Sequence, residues 1–232
     1  MESWRKLNPD FKIIFLDEEK IQEYFDFKSL FYNLTIDVGI AGKSDLIRAY
    51  LLARFGGVWV DSTTFCWVPL SLWLPIEIKD SGFFVFRQRQ ERKDRQIKSW
   101  FMASSKGNPI IINLLKALVE YDFKKRDRTL RMLNYTDYSH FNSISREGTG
   151  YQLLQQLEEI GAFPYFHIHY LFNEAVKSGK AQKLWSFVKK TANNHVNATG
   201  EIGDAYVSKQ NYRKKYMQSE TFKERVERIK SL

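Results

Sequence analysis

Asp45, Arg48 and Asp61 are the residues of this chain whose types and spacing point most directly to chemistry. They fall in the stretch 42–64, which reads GKSDLIRAYLLARFGGVWVDSTT. Asp45 and Arg48 are three apart and would share one face of a helix. Asp61 stands at the far end of the strand expected to follow. A carboxylate, a guanidinium and a second carboxylate at one end of a helix–strand unit suit a charged, oxygen-rich ligand. Read one at a time, the same residues are also a helix-start Asp favouring the dipole, its Arg48 partner and a turn-forming Asp61.

The elements that would position them follow from local signals. Ser44 can act as N-cap, its hydroxyl accepting from a first-turn N–H. Leu46, Ile47, Tyr50, Leu51 and Leu52 have roughly helical apolar spacing. Gly56-Gly57 provides the left-handed conformation that ends a helix. Val58-Trp59-Val60 is β-branched and aromatic, as a short buried strand requires. In an open α/β sheet, ligands bind beyond the carboxyl ends of strands, where Asp61 would lie.

The segment resembles the DXD-type glycosyltransferases, in particular the capsular polysaccharide synthesis family, which is similar in turn to the clostridial glucosylating toxins. The shared pattern is S-D-x-x-R followed by G-G-V/I-W/Y-x-D-x-D/T. It stands here as Ser44-Asp45-x-x-Arg48 and Gly56-Gly57-Val58-Trp59-Val60-Asp61-Ser62-Thr63, without a gap. Weaker similarity lies in Ser3-Trp4 with Asn8-Pro9-Asp10-Phe11, and in the run from Phe166 to Phe172. The resemblance implies a GT-A-like α/β fold that binds a nucleotide sugar on a mainly parallel sheet flanked by helices. It implies hexosyl transfer from a nucleoside diphosphate sugar to a lipid-linked or carbohydrate acceptor, with retention at the anomeric carbon. Asp45 and Arg48 would then bond the hydroxyls of the donor sugar. Asp61 would contact the ribose and the metal shell, and Gly57 and Ser62 would line the donor site.

The resemblance also implies Mn²⁺ or Mg²⁺, since a divalent cation commonly neutralises a leaving diphosphate and hard carboxylate oxygens suit these ions. Thr63 stands where the second Asp of D-x-D is common, and a neutral hydroxyl is a poorer ligand. Asp61 and Thr63 would need a further residue, for which His195 is the first choice and His169 and Asp204 are weaker ones. Related enzymes carry an extra strand before the Ser3-Trp4 segment that helps hold the base. In a chain starting at Met1 that strand is expected to be missing, shortened or supplied otherwise, and this, together with Thr63, motivates an alternative: a non-catalytic sugar-nucleotide or glycan-binding protein on a decayed transferase fold.

The bulk numbers narrow the field. The length of 232 residues fits one α/β domain, and 44% hydrophobic content excludes disorder. No apolar run approaches the ~18 residues of a membrane span. One cysteine, Cys66, rules out an internal disulfide and fits a small buried residue in a reducing, cytoplasmic setting. A net charge of +9 asks for an anionic partner. The basic clusters at Arg87 to Lys98 and Arg213 to Lys230 are interrupted by acids and read as solvated faces, and no nucleic-acid motif is present. Residues 205–232 read as a basic amphipathic helix, with Tyr212, Tyr216, Phe222, Val226 and Ile229 on one side. Such a helix could lie against an anionic membrane.

Along the rest of the chain, Phe11 to Leu16 reads as a first strand and Glu18 to Phe27 as a short helix. Phe83 to Phe86 and Trp100 to Ala103 read as strands. Asn108 and Pro109 open a helix through Tyr121, and Gly150 to Ile160 forms another. Lys124 to Arg131 reads as an exposed charged stretch. Phe163 to Tyr170 reads as a strand, which would place His167 and His169 on one face. Alternation of strands with helices implies a single α/β domain with a mainly parallel sheet.

Overall fold

A computed structural model describes residues 1–87, 95–134, 150–188, 206–209 and 214–231. At its centre, β1 (Gly57–Val60), β3 (Phe83–Arg87) and β4 (Ile97–Ser104) form a sheet of order β1-β4-β3. Both pairings are antiparallel, with Trp59 opposite Met102 and Val85 opposite the same residue. A second antiparallel pair joins β2 (Thr64–Cys66) to β7 (Val207–Lys209), and among the described residues only β5 (Arg131–Leu133) and β6 (Ala162–Pro164) run parallel. The mainly parallel sheet expected from strand–helix alternation is therefore corrected. No helix joins β1 to β2, and β3 and β4 are successive strands that pair directly, a connection that antiparallel geometry allows.

Side chains of the central sheet alternate between two cores, as the period of a strand requires. Phe83, Val85 and Met102 face a core shared with α3 (Gly39–Phe55), α5 (Pro109–Asp122) and a late helix at His167–Ala175. Phe84, Phe86, Phe101 and Ala103 face Trp4 and the helix at Leu70–Ile78, around Trp73. The result is a small sheet between two helical layers. Helix α5 forms as its sequence dictates: Asn108 accepts from the Ile110 N–H at 2.9 Å, Pro109 opens the helix, and Ile111, Leu114 and Leu118 are buried.

Three local expectations fail. Residues 11–16 form no strand; Phe11, Ile14 and Phe15 are 40–52% exposed and lie along a cleft. Helix α3 starts at Gly39, not at Ser44, because Asp37 accepts from the Gly39 N–H at 3.0 Å and the Gly42 N–H already bonds to Val38 O. Gly42 is helical here because it packs closely: a Cβ on it would meet Val38 at 2.4 Å and His167 at 3.3 Å. The expected strand over residues 163–170 ends at Pro164, and His167 opens a helix. Tertiary packing of Ile168, Leu171 and Phe172 in the core decides that case.

The charged stretch 124–131 is largely exposed, yet the Arg126 side chain is buried and pairs with Glu158 at 2.8 Å. The C-terminal region is not one helix. It contains β7, a turn of helix at Lys214–Met217 and a helix at Glu220–Lys230 capped by Ser219. Tyr216 and Phe222, expected on the apolar side of one amphipathic helix, instead lie on two short helices and pack edge to face at 5.6 Å, with Tyr216 buried. Among the described residues no helix is long and apolar enough to cross a membrane.

Candidate active site

The site is built at the seam between helix α3 and strand β1. Asp45 and Arg48 lie one turn apart on α3 and both are buried. The helix stops at Gly56, whose φ of 73° and N–H bond to Leu52 O turn the chain back. Only glycine fits at that point, since a Cβ would stand 2.7 Å from Lys106 N. Strand β1 then carries the chain to Asp61. The Asp61 N–H donates to Trp100 O at 2.9 Å, extending the ladder by one step. Its carbonyl accepts from both the Thr64 N–H, at 2.9 Å, and the Thr64 hydroxyl, at 2.7 Å. The backbone of Asp61 is thus fixed on both sides.

A third support comes from the start of the chain. Trp4 Nε1 donates to Thr64 O at 3.1 Å, the Cys66 N–H donates to Ser3 Oγ at 3.3 Å, and Asn8 Oδ1 accepts from the Leu70 N–H at 2.7 Å. The Ser3-Trp4 and Asn8 similarity noted in the sequence therefore has a structural use: it clamps the strand that follows Asp61. Cys66 is buried there, and burial pushes its thiol up to about 11, which makes it a poor nucleophile.

Arg48 is the hub. One of its terminal nitrogens lies 3.1 Å from Asp45 Oδ1 and donates to Ser99 O at 2.6 Å. The other lies 3.2 Å from Asp61 Oδ1 and 3.4 Å from Ser44 Oγ. Ser44, expected as a cap, is instead a helix-interior partner of Arg48. The guanidinium also sits 5.3 Å from the centre of the Trp59 ring, and Trp59 Nε1 donates to Asp61 Oδ1 at 3.2 Å. Asp61 Oδ2 is held by the ammonium of Lys209 on β7.

Electrostatics distinguish the two carboxylates. Burial drives Asp45 up to about 6, outweighing the opposing pull of Arg48 and the smaller one of His167. Behind Asp45, His167 Nε2 is 3.2 Å from Asp122 Oδ1, with both side chains almost wholly buried. Burial works against the imidazolium, but the charge of Asp122, 3.2 Å away, raises His167 above its ordinary value. Tyr165 is raised by burial and by the nearby Asp45 and Asp61 charges.

Asp45, Arg48, Gly57, Asp61, Ser62 and Thr63 all line one open cleft of about 2520 Å³. That is larger than the ~300–1,000 Å³ of a typical small-molecule pocket and leaves space for two substrates. His169 lines it too, from a helix and not from a strand; at helical spacing His167 and His169 diverge, so they do not form the two-histidine face expected. His195 and Asp204 lie outside the described residues. The basic cluster beginning at Arg87 is not a solvated face where it is described: Arg87, Arg95 and Lys98 border the cleft, and Arg95 is buried.

The donor set can be tested against the expected Mn²⁺ or Mg²⁺. Among the described residues no group of three His, Cys, Asp or Glu side chains could hold a metal. Asp61 offers the ligating carboxylate, but Arg48 and Trp59 engage one oxygen and Lys209 the other. Thr63 Oγ1 is buried without a hydrogen-bond partner among the described residues, yet it is neutral. A divalent ion held by one carboxylate with substrate phosphates and water would fit only if it displaced a partner of Asp61, because Arg48 and Lys209, both cations, already engage its two oxygens.

Sequence reasoning missed Lys209, the Ser99 carbonyl and the His167–Asp122 pair, all brought in by long-range packing. Trp59 was within reach, because residues two apart on a strand share a face.

Residues 1–159 match the capsular polysaccharide synthesis protein family, and the chain belongs to it. The match contains the whole Asp45–Arg48–Asp61 cluster, but not Lys209. Among curated proteins, the chain is 31% identical over 123 residues to O-glycosyltransferase braB of Annulohypoxylon truncatum, covering 46% of this chain and 29% of that protein. It is 24% identical over 198 residues to putative glycosyltransferase HOC1 of Saccharomyces cerevisiae, covering 78% of this chain and 46% of that protein. The chain thus spans less than half the length of either relative. Among solved structures, PaToxG Glycosyltransferase is 14% identical with a TM-score of 0.30, over 75% of this chain and 59% of that one, a likeness too slight to carry an argument.

Proposed function

We propose that this chain is a glycosyltransferase of polysaccharide synthesis that moves a hexose from a nucleoside diphosphate sugar to a glycan or lipid-linked glycan acceptor. The observation that carries the reading is the bridge made by Arg48 between Asp45 and Asp61 at the wall of a cleft large enough for donor and acceptor. Family membership and the glycosyltransferase names of both relatives support it.

The assigned roles follow from the chemistry of each group. Asp45 is a buried acceptor that, once ionised, takes hydrogen bonds from sugar hydroxyls. Arg48 holds both carboxylates in place, and Asp61 stands on the open side of the cluster to accept from ribose or sugar hydroxyls. In the transfer the bond from the anomeric carbon to the β-phosphate oxygen breaks, leaving its electron pair on the diphosphate. A bond from the same carbon to the acceptor oxygen forms, and the acceptor proton leaves to the released diphosphate or to water.

Release of nucleoside diphosphate from a panel of donors, with glycan acceptors present, tests the proposal. Release by the wild type that is lost in Asp61→Ala, with unchanged circular dichroism, supports it. Undiminished release by that variant contradicts the site. Donor binding with no turnover under any acceptor would favour a non-catalytic sugar-nucleotide-binding protein.

A further inference from the structure

We infer that Lys209 holds the diphosphate of the donor at the position beside Asp61 that a divalent cation would otherwise take, so that this chain binds its donor without a metal ion. The inference rests on the cleft being the donor site. Its own support is the placement of Lys209. In the β2–β7 pairing Lys209 lies directly opposite Thr64, three residues beyond Asp61, so the ladder sets where its side chain begins. The Nζ reaches Asp61 Oδ2, and the side chain remains 26% exposed where it borders the cleft. An ammonium has three N–H donors. Asp61 Oδ2 uses one, and phosphate oxygens in the cleft can take others as charge-assisted bonds.

The ligand chemistry of Asp61 points the same way. With Arg48 and Trp59 on Oδ1 and Lys209 on Oδ2, a divalent ion would have to displace a cation already seated. Thr63 would then offer it only a neutral oxygen. Arg95 and Lys98, at the start of β4, bring further positive charge to the same cleft. Burial, and after it the charge of Arg95, holds Lys98 below the usual lysine value, a strain that a bound anion would relieve. Arg95 and Lys98 thus add to the basic lining of the cleft, and Lys209 is the cation anchored to the carboxylate of the motif.

Titration calorimetry with UDP, UMP, GDP and GMP tests this on EDTA-treated full-length protein, with and without added MnCl₂ or MgCl₂. The wild type without metal is expected to bind one diphosphate at least about 10-fold tighter than its monophosphate. Lys209→Met is expected to lose that preference while still binding the monophosphate, and Lys209→Arg to keep most of it. A lysine that merely neutralises Asp61 would leave the diphosphate-to-monophosphate ratio unchanged in Lys209→Met, which would overturn the inference. A preference appearing only with Mn²⁺ or Mg²⁺ would overturn it as well, while leaving the donor-site reading intact. Absence of binding by the wild type in every condition would overturn both. Should Lys209→Met fail to fold by circular dichroism, the metal-free preference of the wild type and of Lys209→Arg decides.

Discussion

Arg48 and Asp61, thirteen residues apart and on different elements, meet at 3.2 Å between Nη2 and Oδ1. That contact joins the helix carrying Asp45 to the strand carrying Asp61. It makes the two carboxylates one site, because the same guanidinium also reaches Asp45 and the carbonyl of Ser99.

Arg48→Lys should fail to rebuild this bridge. A lysine keeps the charge, but its compact ammonium cannot replace a planar fork whose two ends serve Asp45 and Asp61. Removing a partner from a buried, hydrogen-bonded charge pair costs about 2–5 kcal/mol. A fall in kcat/KM of on the order of 100-fold or more is expected, with donor turnover as the readout. Wild-type-like turnover would mean that charge alone, and not the bridging geometry, matters.

Asp45 gives a pH-dependent signature in stability. Its folded value is about 6 against 3.8 for the ordinary group. Between these values the folded chain holds a proton that the unfolded chain has released. Stability must therefore fall as pH rises through that window, by about 3 kcal/mol in total. In Asp45→Asn that contribution to the slope disappears. Urea unfolding at intervals from pH 4 to 7 measures it, and parallel pH profiles for the two proteins would rule it out. Donor binding should move oppositely, weakening below about pH 6 as Asp45 takes up its proton and loses acceptor capacity.

The two glycines between helix and strand differ in a measurable way. Gly56→Ala places a Cβ 2.7 Å from the backbone nitrogen of Lys106 at a φ of 73°. Gly57→Ala has a φ of 99° but meets nothing within 4 Å. Both incur backbone strain of about 1–3 kcal/mol, and the first adds a clash with backbone that cannot swing aside. Gly56→Ala is expected to melt lower than Gly57→Ala by several degrees, at about 2–4 °C per kcal/mol for a chain of this size. Equal melting temperatures would show that the Lys106 turn can shift.

The His167–Asp122 pair behind Asp45 should behave as a buried ion pair. Asp122→Asn leaves a buried imidazole without its counter-charge and is expected to cost about 3–5 kcal/mol at pH 6. His167 is raised in the folded chain, so the contribution of the pair is full below its ordinary value of 6.5 and fades as pH rises through the folded value. The deficit of Asp122→Asn should therefore shrink in alkaline buffer. A deficit constant from pH 6 to 9 would contradict the pairing.

Much of the site was legible because its signals are local. The spacing of Asp45 and Arg48, the Gly56 stop and the Val58 to Val60 run each act within a few residues, and the structure brings all three charged groups together. Pairing partners are another matter. Strand β1 could be recognised from its own residues, but its antiparallel partners in β4 lie 41 to 47 residues away and are set by the two cores, so the sheet direction was not legible. Lys209 was hidden for the same reason: Val207–Lys209 is three residues long and becomes a strand only against Thr64–Cys66. The start of α3 was misplaced because Gly39 and Gly42 look like helix breakers. Close packing of Gly42 on Val38 and His167 overrides that propensity.

The reading of this cluster as a donor site is tested most directly by thermal unfolding against a panel of nucleoside diphosphate sugars, comparing wild type with Asp61→Ala. A donor present at 100 times its Kd should stabilise the wild type by about 2.7 kcal/mol. For a chain of this length that is a rise of roughly 5–10 °C. One nucleotide sugar is expected to give such a shift in the wild type and almost none in Asp61→Ala. An equal shift in the variant, or no shift in the wild type with any donor, would contradict the assignment of Asp45, Arg48 and Asp61 to sugar-nucleotide binding.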